Sequence, residues 1–291
     1  MDQFKLMSFN VGGYQRESRY SQYWDQRKKV CIDIIRKSSA DIFGFQEVQM
    51  ENRLTLDPFL SGYDSTYGLK TVGKKESEAS YNPIYWKRSL FKKLDSGAFY
   101  LSRTPKVWSK SWDAKDVRSA TWVRLLNPQT NSSLIYLNLH LDYRGSQSRV
   151  ESSCLIISKL SILQEKNYDP IIVSGDFNER AWQPKDENIH AYPFPVLPEY
   201  LPLGTKVHDE FKKKGYKDAY IKAGNINRLD MNTYHDYYGI RFPPVALRID
   251  WILTLDGQSS VQTRNYSVIK KALPPVYASD HFPIMATFMP K

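Results

Sequence analysis

Apolar segments of strand length recur along this chain with segments of helical period set between them, and no break interrupts the series. Strand-like runs lie at residues 4–10 (FKLMSFN), 42–48 (IFGFQEV), 84–86 (IYW), 97–101 (GAFYL), 119–126 (SATWVRLL), 133–142 (SLIYLNLHLD), 171–176 (IIVSGD), 248–255 (RIDWILTL) and 277–289 (YASDHFPIMATFM). Between residues 23 and 37, Trp24, Val30, Ile34 and Ile35 recur at helical spacing, as do Val150, Leu155, Ile156, Leu160 and Leu163 between 147 and 166. Strand pairs joined by turn residues, as at 127–131 (NPQTN), stand beside strand–helix–strand units. That combination predicts mixed sheets in a single α/β domain over residues 1–291. No internal repeat is visible and no apolar-poor linker marks a second domain. The polar stretches 70–80 and 103–118 and the Pro-rich connector 193–204, with a short helix-like stretch after it, are the expected rim of a site.

The 291 residues are 41% hydrophobic and 25% charged, the composition of a folded globular chain. Lys and Arg number 41 against 31 Asp and Glu, a net charge of +10 that favours anionic partners. The surplus is spread along the chain, with residues 211–215 (FKKKG) its densest run, so no basic tail is present. Cys31 and Cys154 both sit in helical-looking segments and are expected to be small core residues. No charged start followed by an apolar run marks a signal peptide, and no stretch is long and apolar enough to span a membrane, so the expectation is a cytoplasmic protein with no membrane partner.

The strand-like runs end in chemistry. In a strand, residues two apart face the same side, so Asp176 and Asn178 project together past the end of 171–176. Asn10 ends the first run and Glu47 follows 42–46; His140 and Asp142 close another, Asp250 sits in 248–253, and Asp280 and His281 precede 282–288. Taken singly, each has an ordinary reading as a cap, a turn former or a local ion pair, such as Asp250 with Arg248. Together they are harder to place in a core, because burying so many polar groups without partners costs several kcal/mol per group. Hard oxygen ligands with histidines, and no Cys/His cluster, point to Mg2+ or Mn2+.

The ordered set SFNVGG (8–13), DIFGFQEV (41–48), NLHLD (138–142), SGDFNE (174–179), IDWIL (249–253) and SDHFP (279–283) resembles the endonuclease/exonuclease/phosphatase superfamily, of deoxyribonuclease-I-like fold. The likeness runs from about residue 4 to residue 288, and residues 82–105, 111–125 and 232–239 are similar to a microbial branch of metal-dependent hydrolases near the deadenylase-like members. It implies a four-layer α/β sandwich, two mixed β-sheets packed face to face with helices outside. It also implies a divalent-metal-dependent phosphoesterase that hydrolyses phosphodiesters by direct water attack, a nuclease or nucleotide phosphodiesterase with nucleic acid or a nucleotide as substrate. The alternatives are a phosphatase of small phosphorylated metabolites or inositol and lipid head groups, and a binding protein that keeps the fold without the reaction.

By the same resemblance, Glu47, Asn10 and Asp280 are the expected metal-binding residues. Asp176 would position or deprotonate the attacking water, and Asn178 would hold that water or the phosphate. His281 would contact a non-bridging oxygen while Asp250 fixes its tautomer, and His140 would donate to developing charge. Arg144 matches a phosphate-gripping arginine of the deadenylase-like relatives. Arg118 is a candidate phosphate contact or an ordinary surface arginine, and His235 a substrate contact or a piece of local structure. Tyr81, Tyr85, Trp86, Trp108 and Trp112 could stack on a base or fill core and rim, and His190 and His208 look incidental. The chain departs from the family pattern at Leu139 and Tyr143, which flank the NLHLD motif's chemistry, and at residues 79–84 (ASYNPI), where related sequences carry an acidic residue.

Overall fold

The computed structural model describes residues 3–13, 23–73, 75, 78–185, 204–273 and 276–290. In chain order the elements are β1 (Phe4–Asn10), α1 (Trp24–Ser38), β2 (Ile42–Gln46), α2 (Met50–Phe59), β3 (Tyr63–Thr66), β4 (Thr71–Val72), β5 (Ala79–Ser80), β6 (Ile84–Lys87), β7 (Lys92–Tyr100), β8 (Ser119–Asn127) and β9 (Ser132–His140). There follow α3 (Ser146–Asn167), β10 (Ile171–Asp176), α4 (Lys206–Lys213), β11 (Lys217–Asp218), α5 (Ala219–Lys222), β12 (Asp250–Leu255), β13 (Val261–Val268), β14 (Ala272–Leu273), β15 (Val276–Tyr277) and β16 (Ile284–Pro290).

Two six-stranded sheets carry the fold, ordered β13-β16-β1-β2-β6-β3 and β11-β12-β10-β9-β8-β7. Each is mixed for the same reason: the crossover through a helix makes one central pair parallel, β1 with β2 through α1 and β9 with β10 through α3, while the other neighbours are antiparallel. Between the sheets lie Phe4, Leu6, Ile42, Trp86, Val123, Leu134, Tyr136, Ile172, Ile252 and Phe288. Outside the first sheet, Met7, Phe9, Phe43 and Phe45 pack with Trp24, Val30, Ile34 and Ile35 of α1. Outside the second, Ile135, Leu137, Leu139 and Val173 pack with Ile156 and Leu160 of α3 and with Val207 and Phe211 of α4. The result is the four-layer α/β sandwich of the deoxyribonuclease-I-like fold.

Strand alternation turns this layering into a gradient. Inner-face residues of β1 read Phe4, Leu6, Ser8, Asn10; those of β9 read Leu134, Tyr136, Asn138, His140; those of β10 read Ile172, Ser174, Asp176. Registers Asn10↔Gln46, Asp176↔His140 and Asp176↔Asp250 bring the polar ends to one edge of the sandwich. Just beneath that edge polar groups bond one another within and across the sheets: Gln46 Nε2 donates to Asn138 Oδ1 at 2.7 Å, Asn138 Nδ2 to the Phe45 carbonyl at 2.7 Å, and the Tyr136 and Ser174 hydroxyls lie 2.7 Å apart. Gly44 makes the approach possible, since a Cβ there would overlap the Tyr136 hydroxyl and stand 3.0 Å from Asn138 Cγ.

Several expectations change. Cys31 is buried but Cys154 is exposed: its α3 face is turned from β9 and β10, while Ile156, Ile157 and Leu160 take the buried one. Of the two readings open for the aromatic candidates, Tyr85 and Trp86 take the core one, Trp86 between the sheets and Tyr85 donating to Asp57 Oδ1 at 2.6 Å. Helix α2 and strands β3 and β13 were not foreseen. His190 and nearly all of the Pro-rich connector lie outside the described residues. Among the described residues no helix is long and apolar enough to cross a membrane.

Candidate active site

The residues at the polar edge form one connected array. His281, at the head of β16, lies with Nδ1 2.9 Å from Asp250 Oδ2 and Nε2 3.6 Å from Asp176 Oδ2. Burial alone would drive this imidazole neutral, but the Asp250 and Asp176 carboxylates on either side hold its pKa well above the usual histidine value. His281 is therefore an imidazolium with both N–H groups aimed at carboxylates. Asp176 is the counterpart. Burial, with the nearby Asp250 charge, raises its pKa to about 7 against the opposing pull of His281. Its Oδ2 accepts from Asn10 Nδ2 at 3.0 Å and its Oδ1 from the Asn178 backbone N–H at 2.9 Å.

His140 faces Asp176 from the neighbouring strand, with Nε2 3.5 Å from Asp176 Oδ2. Its other nitrogen, Nδ1, is 3.2 Å from Arg118 Nη1. A guanidinium can only donate, so Nδ1 accepts and the proton sits on Nε2, toward the site. Burial, with the charges of Arg118 and His281, depresses the His140 pKa well below the usual value and keeps the ring neutral. Arg118 is thus buried and is no surface arginine; its Nε and Nη2 each lie 3.9 Å from a carboxylate oxygen, of Asp142 and Asp116 respectively. Asp142 accepts backbone N–H groups of Lys115, Asp116, Arg144 and Gly145, which pins the 103–118 loop to the end of β9.

Asn10 Nδ2 also donates to Glu47 Oε1 at 3.0 Å, so a single amide holds apart two carboxylates drawn from different sheets. Glu47 and Asn178 adopt left-handed backbone, φ 60° and 50°. This is a conformation that costs a side-chain-bearing residue about 1–3 kcal/mol and gathers at functional sites. Although 35% of the Glu47 side chain reaches solvent, burial of its surroundings and then the charge of Asp280 raise its pKa. The carboxylates of Glu47 and Asp280, working against each other, form a hard oxygen donor set that fits a divalent cation, whereas Asn10, expected beside them as a ligand, turns its Nδ2 toward Glu47 and its Oδ1 toward Gly12 N. A Cβ on Gly12 would sit 3.1 Å from Asp280 Oδ1, so bare backbone is what leaves room beside that carboxylate. Asp176, Asp250 and His281 also bring candidate ligand atoms within 4.8 Å of one another. Their geometry is better described as a carboxylate–imidazolium–carboxylate relay, because Asp250 already engages Nδ1 and the charged ring has no lone pair to give.

Two predicted residues stand apart. His235 is fully buried, its ring 3.9 Å from that of Phe282 and its Nδ1 accepting from Gly239 N at 3.1 Å, so it packs against the 279–282 segment, as the local-structure reading expects. Its pKa is pushed down to about 3 by burial. Arg144 is exposed, its guanidinium 5.6 Å from the Tyr143 ring centroid. Thr233 escaped the sequence reading: Oγ1 accepts the N–H groups of Ile249 and Asp250 at 3.0 Å, and its carbonyl accepts from Phe282 N at 2.7 Å, which sets Asp250 and His281 against each other. A lone threonine in the stretch NTYHDYYG carries no sequence signal for this. Of the aromatic candidates, Tyr81 bridges to Val48 beside Glu47, while Trp108 and Trp112 are half-buried in the 103–118 loop beneath Lys70 and Arg103.

Comparison with known proteins agrees with this geometry. Residues 7–281 match the Endonuclease/Exonuclease/phosphatase family. An endonuclease/exonuclease/phosphatase from Bacteroides vulgatus is similar over 100% of both chains, with 25% identity and a TM-score of 0.81. A mannosyl-6-phosphatase of Bacteroides thetaiotaomicron shares 26% identity over 98% of this chain and 99% of its own, with a TM-score of 0.77. An uncharacterised protein of Acanthamoeba polyphaga mimivirus is 26% identical over 185 residues, which are 60% of this chain and 66% of that protein.

Proposed function

This chain belongs to the endonuclease/exonuclease/phosphatase family, whose members are divalent-metal-dependent phosphoesterases, and on that premise we propose that it hydrolyses a phosphoester by direct attack of water on phosphorus. The observation that carries the reading is the placement of His281 at one edge of the sandwich between two carboxylates, Asp250 at 2.9 Å and Asp176 at 3.6 Å, with burial pushing the Asp176 pKa up to about 7. A base with a pKa near the working pH combines a useful ionised fraction with useful proton affinity. Asp176 would take the proton of the attacking water. The side-chain amide of Asn178 donates to the Leu141 carbonyl at 3.0 Å, which leaves its oxygen to hold that water. His281, kept charged by Asp250, would donate to a non-bridging phosphate oxygen, and the Nε2–H of neutral His140 would meet charge as it grows. These donors are fixed before the reaction, so they stabilise the transition state without reorganising.

Glu47 and Asp280 would hold the cation, Mg2+ or Mn2+, with Asn10 keeping Glu47 and Asp176 in register. When bound, the cation supplies Lewis-acid neutralisation of charge on the phosphate oxygens. Arg144, exposed two residues beyond Asp142 and outside the array of reacting groups, would reach substrate beyond the reacting phosphate.

For the substrate, the net charge of +10 and the half-buried Trp108 and Trp112 with their cationic neighbours favour a nucleic acid or nucleotide. A phosphorylated sugar is the second reading, favoured by the 26% identity to a mannosyl-6-phosphatase along the full chain. The test is hydrolysis of bis(p-nitrophenyl) phosphate with Mg2+ or Mn2+, followed by a panel of single- and double-stranded DNA, poly(A)-tailed RNA, nucleotides and phosphorylated hexoses. Turnover that EDTA abolishes and that Asp176→Asn lowers by about 100-fold or more fits the reading. No metal-dependent turnover on any phosphoester would refute it.

A further inference from the structure

Arg27, in the first turns of α1, is fully buried, and its guanidinium reaches the loop that follows β1 and the segment that precedes β16. Nη1 donates to the Val11 carbonyl at 2.6 Å and the Ala278 carbonyl at 2.7 Å; Nη2 donates to the Gly13 carbonyl at 2.6 Å and the Gly12 carbonyl at 3.2 Å. The rings of Trp24 and Tyr237 lie 5.4 and 5.7 Å from the guanidinium carbon. A buried cation is costly unless hydrogen bonds answer for it, and here backbone carbonyls from two distant segments do so.

Those segments carry the site. Val11–Gly13 follow directly on Asn10, and Gly12 and Gly13 turn through left-handed backbone, φ 68° and 53°. From that turn Gly12 N donates to Asn10 Oδ1 at 3.0 Å, which fixes the amide so that Nδ2 faces Glu47 and Asp176. Gly13 O also accepts from Asn52 Nδ2 at 3.2 Å, at the start of the helix that follows Glu47. Ala278 precedes Ser279, whose hydroxyl donates to Asp280 Oδ1 at 3.0 Å and accepts from His281 N at 3.2 Å.

We propose that Arg27 is a positioning residue that clamps the Asn10 loop to the Asp280–His281 segment and so sets the geometry of the cation site. This rests on the phosphoesterase reading above. A planar fork with several donors can bind four carbonyls at once; the ammonium of a lysine has three donors on a flexible stem and cannot span them. Residues that orient ligands through a second layer of hydrogen bonds typically cost 10–100-fold in metal affinity or activity when replaced.

The experiment measures Mn2+ binding by electron paramagnetic resonance of the free ion, with turnover in parallel, for the whole chain and for Arg27→Lys and Arg27→Ala. Phe91→Leu, in the inter-sheet core at the end remote from the site, is the control for lost stability alone. The expected result is a folded Arg27→Lys with Mn2+ affinity at least about 10-fold weaker and kcat reduced more than KM is raised. Guanidinium added to Arg27→Ala should restore part of both, while Phe91→Leu keeps both despite a lower melting midpoint. Wild-type Mn2+ affinity in either Arg27 variant, loss of affinity in Phe91→Leu equal to theirs, or failure of both variants to fold would overturn the proposal while the phosphoesterase reading stands. Wild-type protein that neither binds Mn2+ nor turns over a phosphoester would remove that reading, and the proposal with it.

Discussion

Gly44→Ala is a one-carbon test of how the two sheets meet beneath the site. Gly44 lies on the inner face of β2, two residues before Gln46 and three before Glu47, and its backbone is ordinary strand, so alanine meets no conformational penalty there. The added Cβ would overlap the Tyr136 hydroxyl and press on Asn138 Cγ at 3.0 Å. Overpacking of a filled interior costs about 1–3 kcal/mol. Replacing a strand glycine by alanine returns about 0.5–1 kcal/mol of backbone entropy, and an overlap with the Tyr136 hydroxyl belongs at the upper end of the overpacking range, so the net loss should be about 2 kcal/mol. Tyr136→Phe removes the obstructing oxygen together with its 2.7 Å bond to Ser174, a loss of about 1 kcal/mol by itself. In the double variant the methyl enters vacated space, so the two losses should not add, and their coupling should reach about 1 kcal/mol. Urea unfolding of the four proteins gives the cycle, and kcat on bis(p-nitrophenyl) phosphate should fall in Gly44→Ala because β2 carries Glu47 away from Asp176. A stable Gly44→Ala, or strictly additive losses, would mean that β2 and β9 do not approach as described.

Asp250→Asn should lower turnover at pH 7 by about 10–100-fold, since a charge-assisted hydrogen bond worth about 1.5–3 kcal/mol holds the His281 proton. The sign follows from the raised pKa: activity that needs the imidazolium is lost as pH rises through it, so the alkaline limb of the rate profile should move to lower pH in the variant. An unmoved limb would exclude His281 as the charged donor. Asp218 supplies a stability prediction away from the reacting groups. Burial works against its charge, but Arg248 at 2.7 Å and a bond with His208 hold its pKa down to about 2, from an ordinary 3.8. A depressed carboxylate contributes stability above its unfolded pKa and loses it as pH falls toward the folded one. About 2 kcal/mol should therefore disappear between pH 4 and pH 2, and Asp218→Asn, less stable at pH 7, should lack that share of the acid slope in chemical unfolding.

The strand ends were legible because a strand has a two-residue period and a buried run that stops in Asn, Asp or His has few structural excuses. Asn10, His140 and Asp176 could be picked from local pattern, and the ordered motifs supplied the four layers that alternation alone does not. Helix α2 was hidden by its ten-residue length, by Pro58 within it and by having only Asn52 and Leu56 buried. Strand β13 was hidden by the register shift between Thr263 and Asn265, which breaks the alternation. Arg27 and Thr233 were invisible for a different reason. Each acts on backbone groups far away in sequence, as Arg27 does on Ala278, and such a bond leaves no periodicity and no characteristic neighbour. His235 carries two readings in the sequence, substrate contact or local structure, and it takes the packing against Phe282 to favour the second.

The claim that the solvent oxygen ends on phosphorus, with Asp176 needed to bring it there, is open to an isotope measurement. Hydrolysis of bis(p-nitrophenyl) phosphate in H2 18O with Mn2+ should place one labelled oxygen in p-nitrophenyl phosphate and none in nitrophenol, with Asp176→Asn forming almost no labelled product in the same time. Label in the nitrophenol, or a labelled product that forms equally fast in the variant, would contradict the account.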